Sequence, residues 1–303
     1  MKFLNISNIK SANVEISTNC NAACPLCSRN YNGYGVRDNF PLKDMSMDEF
    51  KKLMDPVLAN KPFLLSLCGT YGDPAANKQC LEILEYVNTE YPHVEIILSS
   101  NASMKTISWW ANLAKISNLK IEFALDGLAD THHIYRQNTS WQKVINNATA
   151  FIQAGGYAVW QFIQFEHNKH QFYKCKDLSR QLGFAEFKHF DDNRSNGIAF
   201  KPDGTPFVLG TSQQQTITAP EFVEQEKYLQ RQYELNLQHE FDRDLKVDTI
   251  ECYSQEGNIY VAVNGDIWPC CWLGGTFPLT SDSDNGWQLK KLPVIVNGLE
   301  HSL

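Results

Sequence analysis

The sequence has no uninterrupted apolar run approaching the roughly 20 residues of a membrane-spanning helix. Its N-terminus, Met1-Lys2-Phe3-Leu4-Asn5-Ile6, soon turns polar and carries no hydrophobic signal-peptide region. Excess positive charge is missing too. The 27 Lys and Arg stand against 34 Asp and Glu, a formal net charge of −7, which gives no electrostatic footprint for nucleic acid or an anionic membrane. The 8 histidines show no metal-ligand spacing, and His132-His133 reads as a polar surface pair in a loop. No internal repeat or low-complexity tract stands out. These absences point to a cytoplasmic protein with no membrane and no nucleic-acid partner. With 43% hydrophobic and 20% charged residues over 303 positions, it is an ordinary soluble chain with material for an ample core.

Cysteine is what the chain does have. Nine of them in a cytosolic-looking protein argue for metal or redox chemistry rather than a disulfide framework. Three lie in the run Cys20-Asn21-Ala22-Ala23-Cys24-Pro25-Leu26-Cys27, a C-x3-C-x2-C spacing just after the short apolar strand Val14-Glu15-Ile16-Ser17. Structural zinc normally takes four ligands, usually as two separated pairs. Iron–sulfur clusters are held by closely spaced cysteines, typically four per cluster. Three with no nearby fourth leave one iron open to a ligand that is not protein. The plain alternative is a zinc loop or buried thiols. Cys68, at the end of a strand, and Cys80 and Cys175, on apolar helix faces, read as small hydrophobes of the core.

The rest of the first two thirds alternates strand and helix. Ser46-Met47-Asp48-Glu49 is a capping box opening a helix with Phe50, Leu53, Met54 and Val57 on one face. The continuous apolar run Phe63 to Leu67 fits a strand buried on both faces of a parallel sheet. Similar units follow: the stripe Cys80, Ile83, Leu84, Val87 and strand Val94 to Leu98, then Ile107, Trp110, Ala111, Ala114 and strand Leu119 to Leu125. A second box, Thr139-Ser140-Trp141-Gln142, opens a helix ending at Gly155-Gly156. Strand Tyr157 to Phe165, a helix ending at Gly183 and strand Phe184 to Phe190 complete six β/α units within residues 13–190. This alternation implies right-handed crossovers and a parallel sheet. The expected fold class is α/β: a partial (βα)6 TIM-like barrel with a small C-terminal extension containing a β-hairpin. Residues 1–190 form the core, 191–247 a bridging or covering segment, and 248–303 the extension. In the last, Asn264-Gly265 between two strand-like runs signals a hairpin with a type I′ turn. Functional groups of parallel α/β folds gather at the carboxyl ends of strands. There stand the cysteine run, the turn Gly69-Thr70-Tyr71-Gly72-Asp73-Pro74, Ser100-Asn101 and Asp126. Tyr71, Phe165, Glu166, His167 and the Trp160–Phe162 stretch are candidates to line the barrel mouth, and because strand residues alternate faces only half of them can.

The cysteine run, followed by the glycine-rich turn ending in an acidic residue and proline, resembles the signature of the radical S-adenosylmethionine (radical SAM) superfamily. The resemblance implies the partial-barrel fold and a [4Fe-4S] cluster held by Cys20, Cys24 and Cys27, its fourth iron chelated by SAM. It places the Gly69, Thr70, Gly72 and Asp73 turn at the SAM ammonium, and Ser100, Asn101 and Asp126 at the ribose and methionine portions. Asp126-Gly127 reads equally as a turn with its own side-chain contact. Arg136 pairs with the SAM carboxylate or forms a surface salt bridge. Cys252, Cys270 and Cys271, with seventeen residues between the first two, resemble the twitch or SPASM extension that holds an auxiliary [4Fe-4S] cluster. Gly265-Asp266-Ile267-Trp268-Pro269-Cys270 fits its G-x4-C element. Members carry a further cysteine pair downstream, and none follows Cys271 here; an extension incomplete at its C-terminus is the favoured expectation, with a cluster partly ligated by another group, or no cluster, as the alternatives.

The activity so implied is reductive cleavage of SAM to a 5′-deoxyadenosyl radical, which takes hydrogen from a small-molecule or sugar substrate, for oxidation, with electrons from a donor such as flavodoxin or ferredoxin. A peptide-modifying maturase is the alternative within the class. A non-catalytic Fe–S electron carrier or redox sensor is the alternative outside it. No residue is singled out as a catalytic acid or base.

Overall fold

A computed structural model of the chain describes residues 6–38, 40–192, 197–209, 217–240, 257–268 and 296–297. Strands β1 (Ser11–Val14), β2 (Phe63–Leu67), β3 (Val94–Ser100), β4 (Leu119–Ala124), β5 (Tyr157–Gln164) and β6 (Glu186–Asp191) lie side by side in chain order, all parallel. Helices α1 (Met47–Leu58), α2 (Cys80–Glu90), α3 (Ile107–Leu113), the one-turn α4 (His132–Tyr135), α5 (Trp141–Gln153) and α6 (Phe172–Leu182) make the crossovers. This is the expected open partial barrel.

Period-two alternation decides what each face of the sheet holds. Leu65 and Leu67 of β2, Ile96 and Leu98 of β3, Ile121 and Phe123 of β4 and Trp160 and Phe162 of β5 are fully buried. They pack in one core with Phe50, Met54 and Val57 of α1, Ile83 and Val87 of α2 and Phe151 of α5. The opposite, concave face carries Ser99, Glu122, Gln161 and Lys188. There Ser99 Oγ donates to Glu122 Oε2 at 2.7 Å and Lys188 Nζ to Glu122 Oε1 at 2.6 Å. A polar interior beside an apolar outer core is what a barrel needs if its interior is to receive a polar ligand.

Local chemistry explains the element starts. Ser46 and Glu49 close the capping box: Ser46 N donates to Glu49 Oε2 at 2.8 Å and Glu49 N to Ser46 Oγ at 3.2 Å. Helix α5 starts one residue later than the Thr139 box predicts. Ser140 is its N-cap, accepting from Lys143 N, because Thr139 Oγ1 is taken up by the Arg136 carbonyl at 2.6 Å. In α3 the buried stripe is Trp110 and Leu113, whereas Ile107 is 53% exposed at the first turn. β1 ends at Val14, earlier than the apolar run suggests, and Glu15 N still reaches the Val261 carbonyl at 2.9 Å.

β7 (Gly197–Phe200) and β8 (Pro206–Leu209) form a separate hairpin whose Ala199 and Leu209 pack with Ala22 and Cys24 of the cysteine run. Helix α7 (Ala219–Glu240) is tied to the segment after the cysteines by Glu226 with Arg37 (3.2 Å) and Lys227 with Asp38 (2.6 Å). β9 (Asn258–Val261) pairs in parallel with β1, then β10 (Asp266–Trp268) and β11 (Val296–Asn297) continue antiparallel, making a sheet of nine strands among the described residues. The β9–β10 connection is a hairpin, as expected, with a different turn. Ala262 N bonds to the Asp266 carbonyl, Gly265 N returns to the Ala262 carbonyl, and only Gly265 has positive φ (+91°). That is a three-residue loop ending in a left-handed glycine rather than a two-residue I′ turn.

Candidate functional site

The chain leaves β1 and turns through the cysteine run across the carboxyl ends of the strands. Short local bonds shape that loop: Cys27 N to the Cys24 carbonyl (3.1 Å), Asn30 N to the Cys27 carbonyl (2.9 Å) and Asn30 Nδ2 to the Cys24 carbonyl (3.2 Å). Cys20, Cys24 and Cys27 all border one cavity of about 370 Å3. Each sulfur is met by an N–H donor. Ala22 N and Asn101 Nδ2 reach Cys20 Sγ at 3.4 Å, Arg136 Nη1 stands 4.0 Å from Cys24 Sγ, and the Arg29 amide donates to Cys27. Burial raises all three thiols, Cys24 to about 11 even with Arg136 pulling it back. Alone they would stay protonated, and coordination to a metal is what removes such protons.

The Gly69–Pro74 turn follows β2 and forms the adjoining wall. A Cβ on Gly69 would fall 1.7 Å from the Gly72 carbonyl oxygen, and one on Gly72 only 2.0 Å from the Ser17 carbonyl oxygen. Only glycine permits this folded loop to lie against the segment leading to Cys20. Asp73 ties it to β3. Its carboxylate accepts from Ser100 Oγ (2.9 Å) and from the amides of Ala75 (2.9 Å) and Asn101 (2.8 Å). Burial raises the Asp73 carboxyl, and these hydrogen bonds oppose the shift. Asn101 Nδ2 bridges to Asn21 Oδ1 at 3.1 Å as well as to Cys20.

Every described candidate except Asp126 borders the cavity: Gly69, Thr70, Gly72, Asp73, Ser100, Asn101 and Arg136 with the three cysteines. Asp126 sits behind Arg136, fully buried, accepting from Arg136 Nε at 2.6 Å and from Ile163 N at 2.6 Å. Arg136 is thus in a buried ion pair, not a surface one. Cys252, Cys270 and Cys271 lie outside the described residues.

Two sequence readings are corrected. Cys68 is half-buried and borders the cavity, with its thiol donating to Asn13 Oδ1 at 3.2 Å, because it falls on the face opposite Leu65 and Leu67. Cys80 and Cys175 are in the core as expected. His132 is fully buried in α4, accepting from Asp126 N at Nδ1 (3.3 Å) and bonding to Thr139 Oγ1 through Nε2 (3.1 Å). Of the Trp160–Phe162 stretch only Gln161 borders the cavity, and the sequence reading missed Ser99 in the cavity wall and Glu15 beneath it. For Glu15 there was a signal: a carboxylate between Val14 and Ile16 in an otherwise apolar strand.

Among the described residues, no three His, Cys, Asp or Glu side chains converge tightly enough to hold one metal ion. A [4Fe-4S] cluster does not ask that of them, since each thiolate takes its own iron. The three sulfurs with their N–H donors, and the cradle that a Cβ would fill, fit a cluster with a small polar ligand beside it.

Residues 14–163 match the sequence model of the Radical SAM superfamily. No curated protein sequence matches the chain. Among solved structures, Streptococcus suis SuiB bound to S-adenosylmethionine superposes with a TM-score of 0.61 at 13% identity, covering 92% of this chain and 67% of that one. SuiB bound to its precursor peptide SuiA gives 0.61 at 13% over 91% of this chain and 62% of that one, so this chain spans about two thirds of its length or less. Native anSMEcpe with bound AdoMet gives 0.56 at 15% over 96% of this chain and 82% of that one. No described helix is long and apolar enough to cross a membrane. The sequence match places the likeness to a radical SAM domain on residues 14–163, the stretch that carries the cysteine run, the glycine turn and most of the cavity wall.

Proposed function

We propose that this chain is a radical SAM enzyme acting on a small, polar, hydroxyl-bearing substrate such as a sugar, which it oxidises. Cys20, Cys24 and Cys27 hold the cluster, and Gly69, Thr70, Gly72, Asp73, Ser100, Asn101 and Arg136 surround SAM. Bound there, the cluster and SAM supply one-electron reductive cleavage of SAM and, with it, hydrogen-atom abstraction from a C–H bond. Arg136, held by Asp126, offers its remaining N–H groups and a fixed positive charge to the SAM carboxylate. Asn101 spans the cysteine run and the end of β3, so cluster loop and SAM wall share one anchor. β7 and β8 pack on the cysteine run and help keep water from it. A cytoplasmic flavodoxin or ferredoxin would supply the electron, and Cys252, Cys270 and Cys271, which lie outside the described residues, would be the ligands of an auxiliary cluster able to accept a second one.

The observation that carries the reading is the cavity itself, with three thiols on one wall and the glycine turn, Asn101 and Arg136 on the others. An electron carrier needs no such wall and usually has four protein ligands per cluster. The preference for a polar small molecule rests on Ser99 and Gln161, which border the cavity and both bond to Glu122, itself paired with Lys188. A peptide substrate is the second reading, favoured by the fold likeness to SuiB and anSMEcpe, which were solved with peptides.

The test supplies reduced, iron-loaded protein and SAM with either the small-molecule or the peptide fraction of a deuterium-grown extract. Deuterium in 5′-deoxyadenosine from the small-molecule fraction supports the proposal. Transfer from the peptide fraction alone moves the protein to the maturases, and no 5′-deoxyadenosine with either moves it to the carriers.

A further inference from the structure

Glu15 follows directly on β1 and is fully buried beneath the glycine turn. Its Oε1 accepts from two consecutive backbone amides of the glycine turn, Tyr71 N at 2.7 Å and Gly72 N at 2.9 Å. Its Oε2 accepts from the Tyr260 phenol at 2.6 Å. The Thr70 hydroxyl bonds to the same phenol. Three successive residues of the turn are therefore held from beneath by one carboxylate and one tyrosine.

Tyr260 comes from β9, nearly the whole length of the chain away. It is placed there by the parallel pairing that sets it opposite Asn13 of β1, and it is fully buried. A turn with glycine at 69 and 72 is costly to order, because glycine loses the most backbone freedom on folding. Two adjacent amides on one buried carboxylate oxygen offset that cost where the loop has few side chains to anchor it. A buried carboxylate is itself expensive unless donors satisfy it, and the two amides and the phenol do so.

We propose that Glu15 and Tyr260 form a latch that fixes the Thr70–Gly72 backbone in its SAM-binding shape, so that the C-terminal hairpin contributes to SAM affinity without touching SAM. The latch rests on the reading of this cavity as a SAM site. Both residues are positioning residues. They act through the turn and not through the cysteines.

The test uses the full chain with Tyr260→Phe, which keeps the buried ring, and Glu15→Gln beside Glu15→Ala. Three quantities are read: the SAM dissociation constant of iron-loaded protein, amide exchange of Tyr71 and Gly72 without SAM, and iron per chain. Loss of one buried hydrogen bond is expected to weaken SAM binding by about tenfold in Tyr260→Phe. The two amides exchange faster, and iron content stays at the wild-type value. Glu15→Gln, which keeps an acceptor for both amides, recovers part of what Glu15→Ala loses. Wild-type affinity and wild-type exchange in Tyr260→Phe would overturn the latch, as would iron loss in proportion to the loss of affinity. If the wild type binds no SAM, the proposed function falls and takes the latch's role with it. If the wild type binds and Tyr260→Phe binds equally, the latch alone falls.

Discussion

Arg136 donates through Nε to the buried carboxylate of Asp126 at 2.6 Å while its Nη1 lies 4.0 Å from Cys24 Sγ. One guanidinium thereby joins the end of β4, the loop after α4 and the cysteine run. Its charge faces the sulfurs and the cavity, and its counter-charge stands behind it, out of reach of a ligand.

Removing the counter-charge should be expensive. Asp126→Ala leaves the largely buried Arg136 without its carboxylate partner, and the expected loss is about 3 kcal/mol of stability. Urea unfolding of the wild type and the variant reads this directly. A difference below about 1 kcal/mol, the range of exposed pairs, would contradict the burial of the pair.

The glycine turn gives a steric prediction. In Gly72→Ala the new Cβ meets backbone on a neighbouring segment, with Ser17 O at 2.0 Å and Thr18 Cα at 2.7 Å. No side chain can swing aside, so the turn itself must move. Folded, iron-loaded Gly72→Ala is expected to bind SAM at least about tenfold more weakly, a change of about 1.4 kcal/mol. Equilibrium binding checks it, and unchanged affinity would place SAM away from this wall.

The sequence showed much of this site and missed particular parts of it for physical reasons. Ser46 with Glu49, the apolar runs of β2 to β4 and the Gly69–Pro74 turn are local signals, each readable within a few residues. The pairing of Asp126 with Arg136 is not local in that sense, since it depends on how α4 folds back over the end of β4. The place of β9 beside β1 is still less so, because nothing in Asn258–Val261 names its partner strand. Cys68 was legible: continuing the alternation of Leu65 and Leu67 places it on the opposite face. Asn264-Gly265 marked the hairpin correctly and its turn type wrongly, since a left-handed glycine serves both turn classes.

His132 predicts a pH dependence. Burial, then the nearby Arg136 charge, lowers its pKa to about 3, so it is neutral in the folded protein. The unfolded chain, at about 6.5, binds the proton more readily. The stability associated with neutral His132 is therefore fully present above about pH 6.5 and is lost as pH falls toward about 3, with a limiting slope of about 1.4 kcal/mol per pH unit. The stability of His132→Gln relative to the wild type should rise steadily as pH falls from 6.5 to 4.5. A pH-independent difference would show that the ring is not sealed from solvent.

The central claim is that Cys20, Cys24 and Cys27 hold a cluster that serves SAM in the cavity they border. The most direct measurement is 5′-deoxyadenosine formed by anaerobically iron- and sulfide-loaded, dithionite-reduced protein, for the wild type, Cys24→Ala and Cys80→Ser. The account predicts product from the wild type, none from Cys24→Ala, and near wild-type yield from Cys80→Ser, whose thiol is buried in the outer core. Equal yields from the two variants, or an iron-loaded wild type that forms no product, would contradict it.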